Sequence, residues 1–369
     1  MSKGPEAPKY VRAKEYIKGC ILNGELKPGE KIFSENDLSS KFAISRHTVR
    51  QAFGELVNEG WLHRVQGKGT FVSRSAGMQK EKSRIIGVMT TYLDDYIFPS
   101  IIKGIDNVLS NQGYSMILSH TDNKIEREAA CLSAIMEKNV DGFIIEPTKS
   151  ALPNPNLGLY EELERKGIPY IFINGFYPGR EASCVVEDDE LGGYLAAMHL
   201  MELGHEKIGG IFKVDDIQGH GRYKGTVRAH RERGRNIPED SVIWYTTEDS
   251  DSIFGETGRK LLLKRLEGCT GVVCYNDQVA LRLIEIFKAE SVRVPGDVSL
   301  VSFDDSELAV ASETKLTTVA HPKAGLGEKA ALGLLDLLRY NRNRVKEIMK
   351  PELIVRSSTS RRSDNSRLK

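Results

Sequence analysis

Four apolar runs in this chain end on side chains that can donate, accept or carry charge: Glu146, Asn174, Asn276-Asp277 and Asp304-Asp305. One such residue ordinarily caps the helix that follows it, and Asp277 fits that role. Four at successive run ends predict a shared hydrogen-bonding pocket, since carboxylates accept and amides do both. General acid–base work is the other use of such groups, with Asp188-Asp189 and Asp304-Asp305 as adjacent pairs. No nucleophile elbow, metal-ligand spacing or phosphate loop accompanies them, and neighbours along a strand point to opposite faces. The expectation is binding without catalysis, with no catalytic residue, metal ligand or cofactor.

A second constellation lies near the front. Arg46, His47, Thr48, Arg50 and Gln51 share one face of a helical pattern whose other face is Val49, Ala52, Phe53, Leu56 and Val57. Ser45 signals its start and Gly60 its end. Ahead of it, Ser34-Glu35-Asn36-Asp37 has capping-box spacing, with Leu38 and Phe42 on the buried side of a short helix. Behind it, 61–65 and 70–72 read as two strands around Gln66-Gly67-Lys68-Gly69. Helix, tight turn, polar-faced helix and glycine-tipped hairpin make a winged helix-turn-helix. Arginines on such a helix can fork onto guanine in the major groove, and a glycine tip lets the hairpin lie close to the DNA backbone.

Charge is distributed to match. The 369 residues carry a net +1, yet residues 1–75 hold 13 Lys and Arg against 8 Asp and Glu, and the remainder 39 against 43. A basic small domain on a slightly acidic large one fits nucleic acid held by one end. The start of the chain lacks an apolar signal core and no run is long and apolar enough for a membrane span, so a cytoplasmic protein with no membrane partner is expected. Cys20, Cys131, Cys184, Cys269 and Cys274 form an odd set without a C-x-x-C pair and read as ordinary thiols.

The elements that must position these residues follow from periodicity. A polar, aperiodic stretch at 74–84 reads as a linker between a domain at 1–73 and another at 85–360. Beyond it, strands at 85–89, 114–118, 141–146 and 169–174 alternate with helices ending near 111 and spanning 125–138. The rhythm restarts after Val185: helices at 191–203, 221–233, 254–266 and 277–289 alternate with strands at 207–212, 242–245, 271–275 and 298–303. Such alternation predicts parallel sheets covered by helices on both faces, with ligands beyond the carboxyl ends of the strands. The fold class is α/β, a winged helix-turn-helix followed by a two-lobed, doubly wound domain.

Glu30-Lys31, Ser34 to Leu38, Ser45 to Ala52, Leu56 to Leu62 and Gly67 to Val72 together resemble the GntR type of winged-helix regulator. The resemblance implies DNA contact by Lys9, Tyr10, Glu35, Ser45, Arg46, His47, Thr48 and Arg50, and by Gln66, Gly67 and Lys68 at the wing. Ile86-Gly87-Val88, Asp141-Gly142, Leu203-Gly204-His205, Arg222-Tyr223-Lys224-Gly225, Asn276-Asp277, Ser302 to Asp305 and Leu316 to Val319 resemble the LacI type of effector domain, akin to periplasmic sugar-binding proteins. The pairing of the two, with Asp95 to Ile102, Glu146 to Ala151, Gly210 to Lys213 and Pro351 to Val355, resembles the AraR-type arabinose-repressor family.

That resemblance implies a homodimer on pseudo-palindromic operator DNA, released by L-arabinose or a similar small sugar; the alternative is a sugar-responsive activator, or a regulator of the same architecture that senses another sugar or small metabolite. The effector residues it implies are Asp95, Phe98, Glu146, Asn174, Arg222 at the opening of a helix, Asn276, Asp304 and His321, with Tyr96, Lys149, Lys213 and Gln218 as weaker candidates. Asp95 stands where the LacI pattern usually has Asn, and His321 where it usually has Gln. An aromatic such as Phe98 can lie against the C–H face of a sugar ring.

Overall fold

The computed structural model describes residues 9–58, 60–65, 67–73, 83–94, 97–340 and 344–362. They divide into two compact units at the junction of residues 82 and 83.

The first unit contains α1 (Lys9–Leu22), α2 (Glu35–Phe42), α3 (Arg46–Asn58) and the antiparallel hairpin β1 (Leu62–Val65) and β2 (Gly69–Val72). Ser34 caps α2 as expected: Asp37 N donates to Ser34 Oγ at 3.2 Å, and Ser34 N donates back to Asp37 Oδ2 at 2.9 Å. Ala43 takes a left-handed φ of 49° and ends α2, which creates the tight turn. Thr48 N then donates to Ser45 Oγ at 3.1 Å and starts α3. Ala13 and Ile17 of α1, Leu38, Val49, Phe53 and Leu56, with Leu62 and Val72 of the hairpin, form the core. Phe42 is only half-buried, edge-on to Tyr16.

The second unit runs β3 (Ile85–Thr90), α4 (Phe98–Asn111), β4 (Ser115–His120), α5 (Ile125–Met136), β5 (Gly142–Ile145), α6 (Leu157–Arg165), β6 (Tyr170–Ile173) and β7 (Ser183–Glu187). It continues α7 (Asp189–Glu202), β8 (Ile208–Lys213), α8 (Ile217–Glu232), β9 (Val242–Tyr245), α9 (Ser250–Phe254), α10 (Glu256–Arg265), β10 (Gly271–Cys274) and α11 (Asp277–Ala289). It closes with β11 (Ser299–Asp304), α12 (Leu308–Ala311), β12 (Thr317–Ala320), α13 (Lys323–Tyr340), β13 (Lys346–Met349) and β14 (Glu352–Ile354).

Two six-stranded sheets result, in the orders β13-β7-β6-β5-β3-β4 and β14-β12-β11-β10-β8-β9. The first is wholly parallel. The second is not, because β14 returns antiparallel to β12. The chain passes between the sheets three times, after Glu187, after Ala320 and after Met349, so each lobe is assembled from separate stretches. Each sheet is buried on both faces, with Ile86, Val88 and Ile144 at the centre of one and Val272, Leu300 and Val301 at the centre of the other.

Several elements differ from expectation. Helix α8 begins at Ile217, so Arg222 sits in its second turn instead of opening it. The expected helix at 254–266 begins two residues late, as α10, and a separate short helix, α9, precedes it ahead of Gly255. Asn276, not Asp277, caps α11, accepting from Val279 N at 3.0 Å. Asp277 is fully buried instead, where Ser302 Oγ, Thr318 Oγ1, Ser306 N and Ser306 Oγ all donate to its carboxylate. Of the expected linker at 74–84, residues 74–82 lie outside the described residues. Ser83 and Arg84 belong to the lobe, since both backbone N–H groups donate to the Asp141 carboxylate, at 2.9 and 3.1 Å.

Candidate functional site

The carboxyl ends of both sheets face a cleft of about 270 Å³ between the lobes. It falls just below the usual ligand-pocket range, roughly 300–1,000 Å³, and so suits a small molecule. Phe98, Glu146, Asn174, Lys213, Gln218, Arg222, Asn276, Asp304 and His321 all line it. Asp95 and Tyr96 lie outside the described residues. Lys149 is not in the lining; its Nζ donates instead to Glu248 at 2.5 Å.

On the first-lobe side, strand ends deliver a relay of hydrogen bonds. Thr91 N and Thr91 Oγ1 donate to Glu146 Oε2 at 2.7 and 2.5 Å, and Asn174 Nδ2 donates to Glu146 Oε1 at 2.8 Å. Asn174 spends its carbonyl on the other lobe, accepting from His321 Nε2 at 3.1 Å. Burial holds the His321 imidazole down at about 4, so the ring is neutral near pH 7. A neutral ring donating from Nε2 leaves Nδ1 as an acceptor, and that atom is buried with no partner among the described residues. Burial lifts the Glu146 carboxyl to about 7 against the opposing pull of the Thr91 and Asn174 donors. Asn174 itself adopts a φ of +60°, a conformation held where surrounding structure over-determines it.

On the second-lobe side the charges arrive paired. Arg222 Nε donates to Asp189 Oδ1 at 2.9 Å, its Nη1 donates to Tyr275 O at 2.6 Å, and its Nη2 lies 3.6 Å from Asp304 Oδ1. Phe303 and Tyr275 flank the guanidinium, their ring centres 4.3 and 4.9 Å from its carbon. Burial alone would lower its pKa, but the Asp189 and Asp304 carboxylates outweigh that and raise it. Close packing of α7 on α8 sets this geometry: a Cβ on Gly193 would meet Arg222 O at 2.0 Å, and one on Gly225 would meet Glu190 O at 1.9 Å. Lys213 is buried as well, and its Nζ donates to Asp216 Oδ2 at 2.6 Å.

Sequence reasoning missed Thr91, Tyr92, Asp216, Tyr245, Thr247 and Tyr275 among the lining residues. Thr91, Asp216 and Tyr275 each follow a strand by one to three positions, so the strand-end rule that found Glu146 could have found them. The lobes also meet directly at the rim. Asn123, fully buried, donates from Nδ2 to Thr247 Oγ1 at 2.7 Å and to Asp216 Oδ1 at 3.2 Å. Ile217 N donates to Ser150 Oγ at 2.9 Å beside it. No group of three or more His, Cys, Asp or Glu that could hold a metal ion occurs among the described residues.

The first unit presents a different surface. Arg46, His47, Arg50 and Gln51 are exposed along the outer face of α3, and Ser45 and Thr48 share a hydrogen bond of 2.8 Å at its start. Glu35 of α2 grips Arg50, whose Nε lies 2.8 and 3.0 Å from the two carboxylate oxygens. Gly67 and Lys68 are exposed at the hairpin tip, where Gly67 has a φ of +74°. Gln66 lies outside the described residues. Lys9 is exposed at the start of α1, whereas Tyr10 packs half-buried against the core. Exposed His63 and Arg64 on β1 and Lys31 beside Gly69 extend the polar surface and were not foreseen.

Residues 9–72 match the family described as bacterial regulatory proteins, gntR family, and residues 197–359 match the periplasmic binding protein-like domain. A relative named arabinose metabolism transcriptional repressor, from Halalkalibacterium halodurans, is 44% identical over 362 residues, covering 95% of this chain and 96% of that protein. A protein of the same name from Geobacillus stearothermophilus is 43% identical over 355 residues, covering 95% and 98%. Among solved structures, a LacI family transcriptional regulator from Enterococcus faecium with bound ribose is 28% identical, with a TM-score of 0.64 over 76% of this chain and 100% of that one. Similarity of this extent across both units shows that the chain belongs to the family of arabinose metabolism transcriptional repressors, sugar-sensing regulators of transcription and not enzymes.

Proposed function

We propose that this repressor binds pseudo-palindromic operator DNA as a homodimer and is released from it by L-arabinose bound in the cleft. The observation that carries the sugar reading is the relay Glu146–Asn174–His321, which ends on a buried acceptor beside the paired cation Arg222. A polyol fits such a site, because each hydroxyl both donates and accepts. Phe98 and Tyr92 add aromatic wall for the C–H face of a sugar ring. Two relatives named for arabinose metabolism favour that pentose over other sugars.

In this reading Asp95, Tyr96, Phe98, Glu146, Asn174, Lys213, Gln218, Arg222, Asn276, Asp304 and His321 contact or surround the sugar. Arg46 and Arg50 read bases, Glu35, Ser45, His47 and Thr48 support them, and Lys9, Tyr10 and the wing residues Gln66, Gly67 and Lys68 hold the backbone. An apolar hollow between α11 and α12, lined by Leu281, Ile284 and Leu308 beside the half-exposed Val310, favours self-association of the second unit. A DNA-bound regulator of this kind works in the cytoplasm. Sugar completes polar pairing only when the lobes are closed, so binding shifts the population towards a form with weaker operator affinity. Calorimetry with L-arabinose, D-ribose and D-xylose tests the assignment: arabinose should bind tightest, and equal affinity for all three would remove it.

A further inference from the structure

The strand end that carries Asp304 has an unusual backbone. Asp304 has a φ of +98° and Asp305 a φ of +46°, two successive residues in a region that L side chains rarely adopt. Their carbonyls converge on one ammonium group. Lys323 Nζ donates to Asp304 O at 2.6 Å and to Asp305 O at 2.9 Å, with His321 O at 3.4 Å completing its three donors. Thr318 and Arg356 also hold Asp305, through its N–H and its carboxylate, and both belong to the same lobe as Asp305.

Lys323 reaches in from the other lobe. It opens α13, which packs against α4 and against β5, β6 and β7. The start of that helix has no slack, because Ala324 O lies 2.2 Å from where a Cβ on Gly104 of α4 would stand. The ammonium is therefore anchored to the first lobe while it holds the backbone of the second, at the crossover that follows Ala320. Lys323 is not among the residues that line the cleft, yet it fixes the peptide groups behind the lining carboxylate that faces Arg222.

We infer that Lys323 is a positioning residue for effector binding: by holding the Asp304 and Asp305 carbonyls from the opposite lobe, it sets the Asp304 carboxylate against Arg222 and ties that alignment to the lobe crossover. The inference rests on the cleft being the effector site. Loss of the ammonium lets the strand end relax to ordinary backbone angles, which turns Asp304 away and weakens the sugar.

Calorimetry of the full chain with L-arabinose tests it, with thermal melts as the control for folding. Lys323→Met should raise Kd about tenfold, and Lys323→Arg, which keeps charge and donors, should restore it to within about threefold of wild type. In an Asp304→Asn background, Lys323→Met should change Kd by less than about twofold, because the carboxylate it aligns is already gone. A Lys323→Met protein that binds like wild type overturns the inference, and so does a full tenfold loss on top of Asp304→Asn. If Lys323→Met melts far below wild type, Lys323→Gln takes its place, with the same outcomes. Wild-type protein that shows no heat with arabinose fails at the earlier step, the identity of the site, and removes the inference with it.

Discussion

Arg222 and Asp189 come from adjacent helices, and the carboxylate that grips the cleft's guanidinium at 2.9 Å does not itself line the cleft. Burial raises Asp189 to about 6 against the pull of Arg222, which leaves it largely ionised near pH 7. Asp189→Asn keeps an acceptor of the same shape but loses the charge. Arabinose affinity should then fall about tenfold, close to 1.4 kcal/mol, by calorimetry, with the fold retained. Arg222→Ala is a harsher change. It leaves Asp189 a buried carboxylate without its cation, a loss of about 3–5 kcal/mol that a thermal melt should register along with lost sugar binding.

Glu146 should make arabinose binding depend on pH. Its carboxyl is raised from 4.5 to about 7 by burial, so near pH 6 it is largely protonated and near pH 8 ionised. An ionised carboxylate is the better acceptor for a sugar hydroxyl, so arabinose affinity should rise from pH 6 to pH 8 and then level. Stability moves the other way. In the window between 4.5 and about 7 the unfolded chain ionises this group before the folded one does, so its contribution falls as pH rises. Glu146→Gln should flatten both trends; an affinity profile unchanged by the substitution would contradict the assignment.

Asn123 joins the lobes at the rim through Thr247 and Asp216. These bonds exist only when the lobes are together. Asn123→Ala should therefore speed arabinose release about tenfold in stopped-flow displacement while leaving the association rate nearly unchanged. A slowed association with unchanged release would assign Asn123 to the path of access instead.

In the winged unit, Glu35 holds Arg50 in one orientation on the outer face of α3. Glu35→Ala frees that side chain without touching the core, so thermal stability should not change. Operator selectivity should relax, because a guanidinium reads a base only from a fixed angle. Arg46→Ala should cost more, about 1–3 kcal/mol of operator affinity in gel-shift titration.

Local rules carried much of this architecture. The capping box at Ser34, the start at Ser45 and the alternation of apolar runs with amphipathic helices required only neighbours in sequence, and α2, α3, β9 and α11 stand where those signals place them. Glu146, Asn174 and Asp304 were visible for the same reason, as polar residues terminating apolar runs. What stayed hidden depends on distant contacts. Helix α1 carries no acidic residue in its first turn and no basic one in its last, and β13 and β14 are short edge strands whose partners lie far away in sequence. Asp277 looked like a cap because nothing local reveals that Ser302, Ser306 and Thr318 converge on it. The Lys213–Asp216 pair is local, three residues apart, but its place in the cleft wall depends on both lobes meeting there.

Sugar in the cleft is expected to loosen the hold of the reading heads on operator. A gel-shift titration of the full chain on a two-half-site operator, with and without saturating L-arabinose at fixed salt, tests it most directly. The expected result is tight binding without sugar and an operator affinity lower by roughly 5- to 150-fold with it. Operator affinity that stays the same or tightens, in a preparation that binds arabinose by calorimetry, would contradict it.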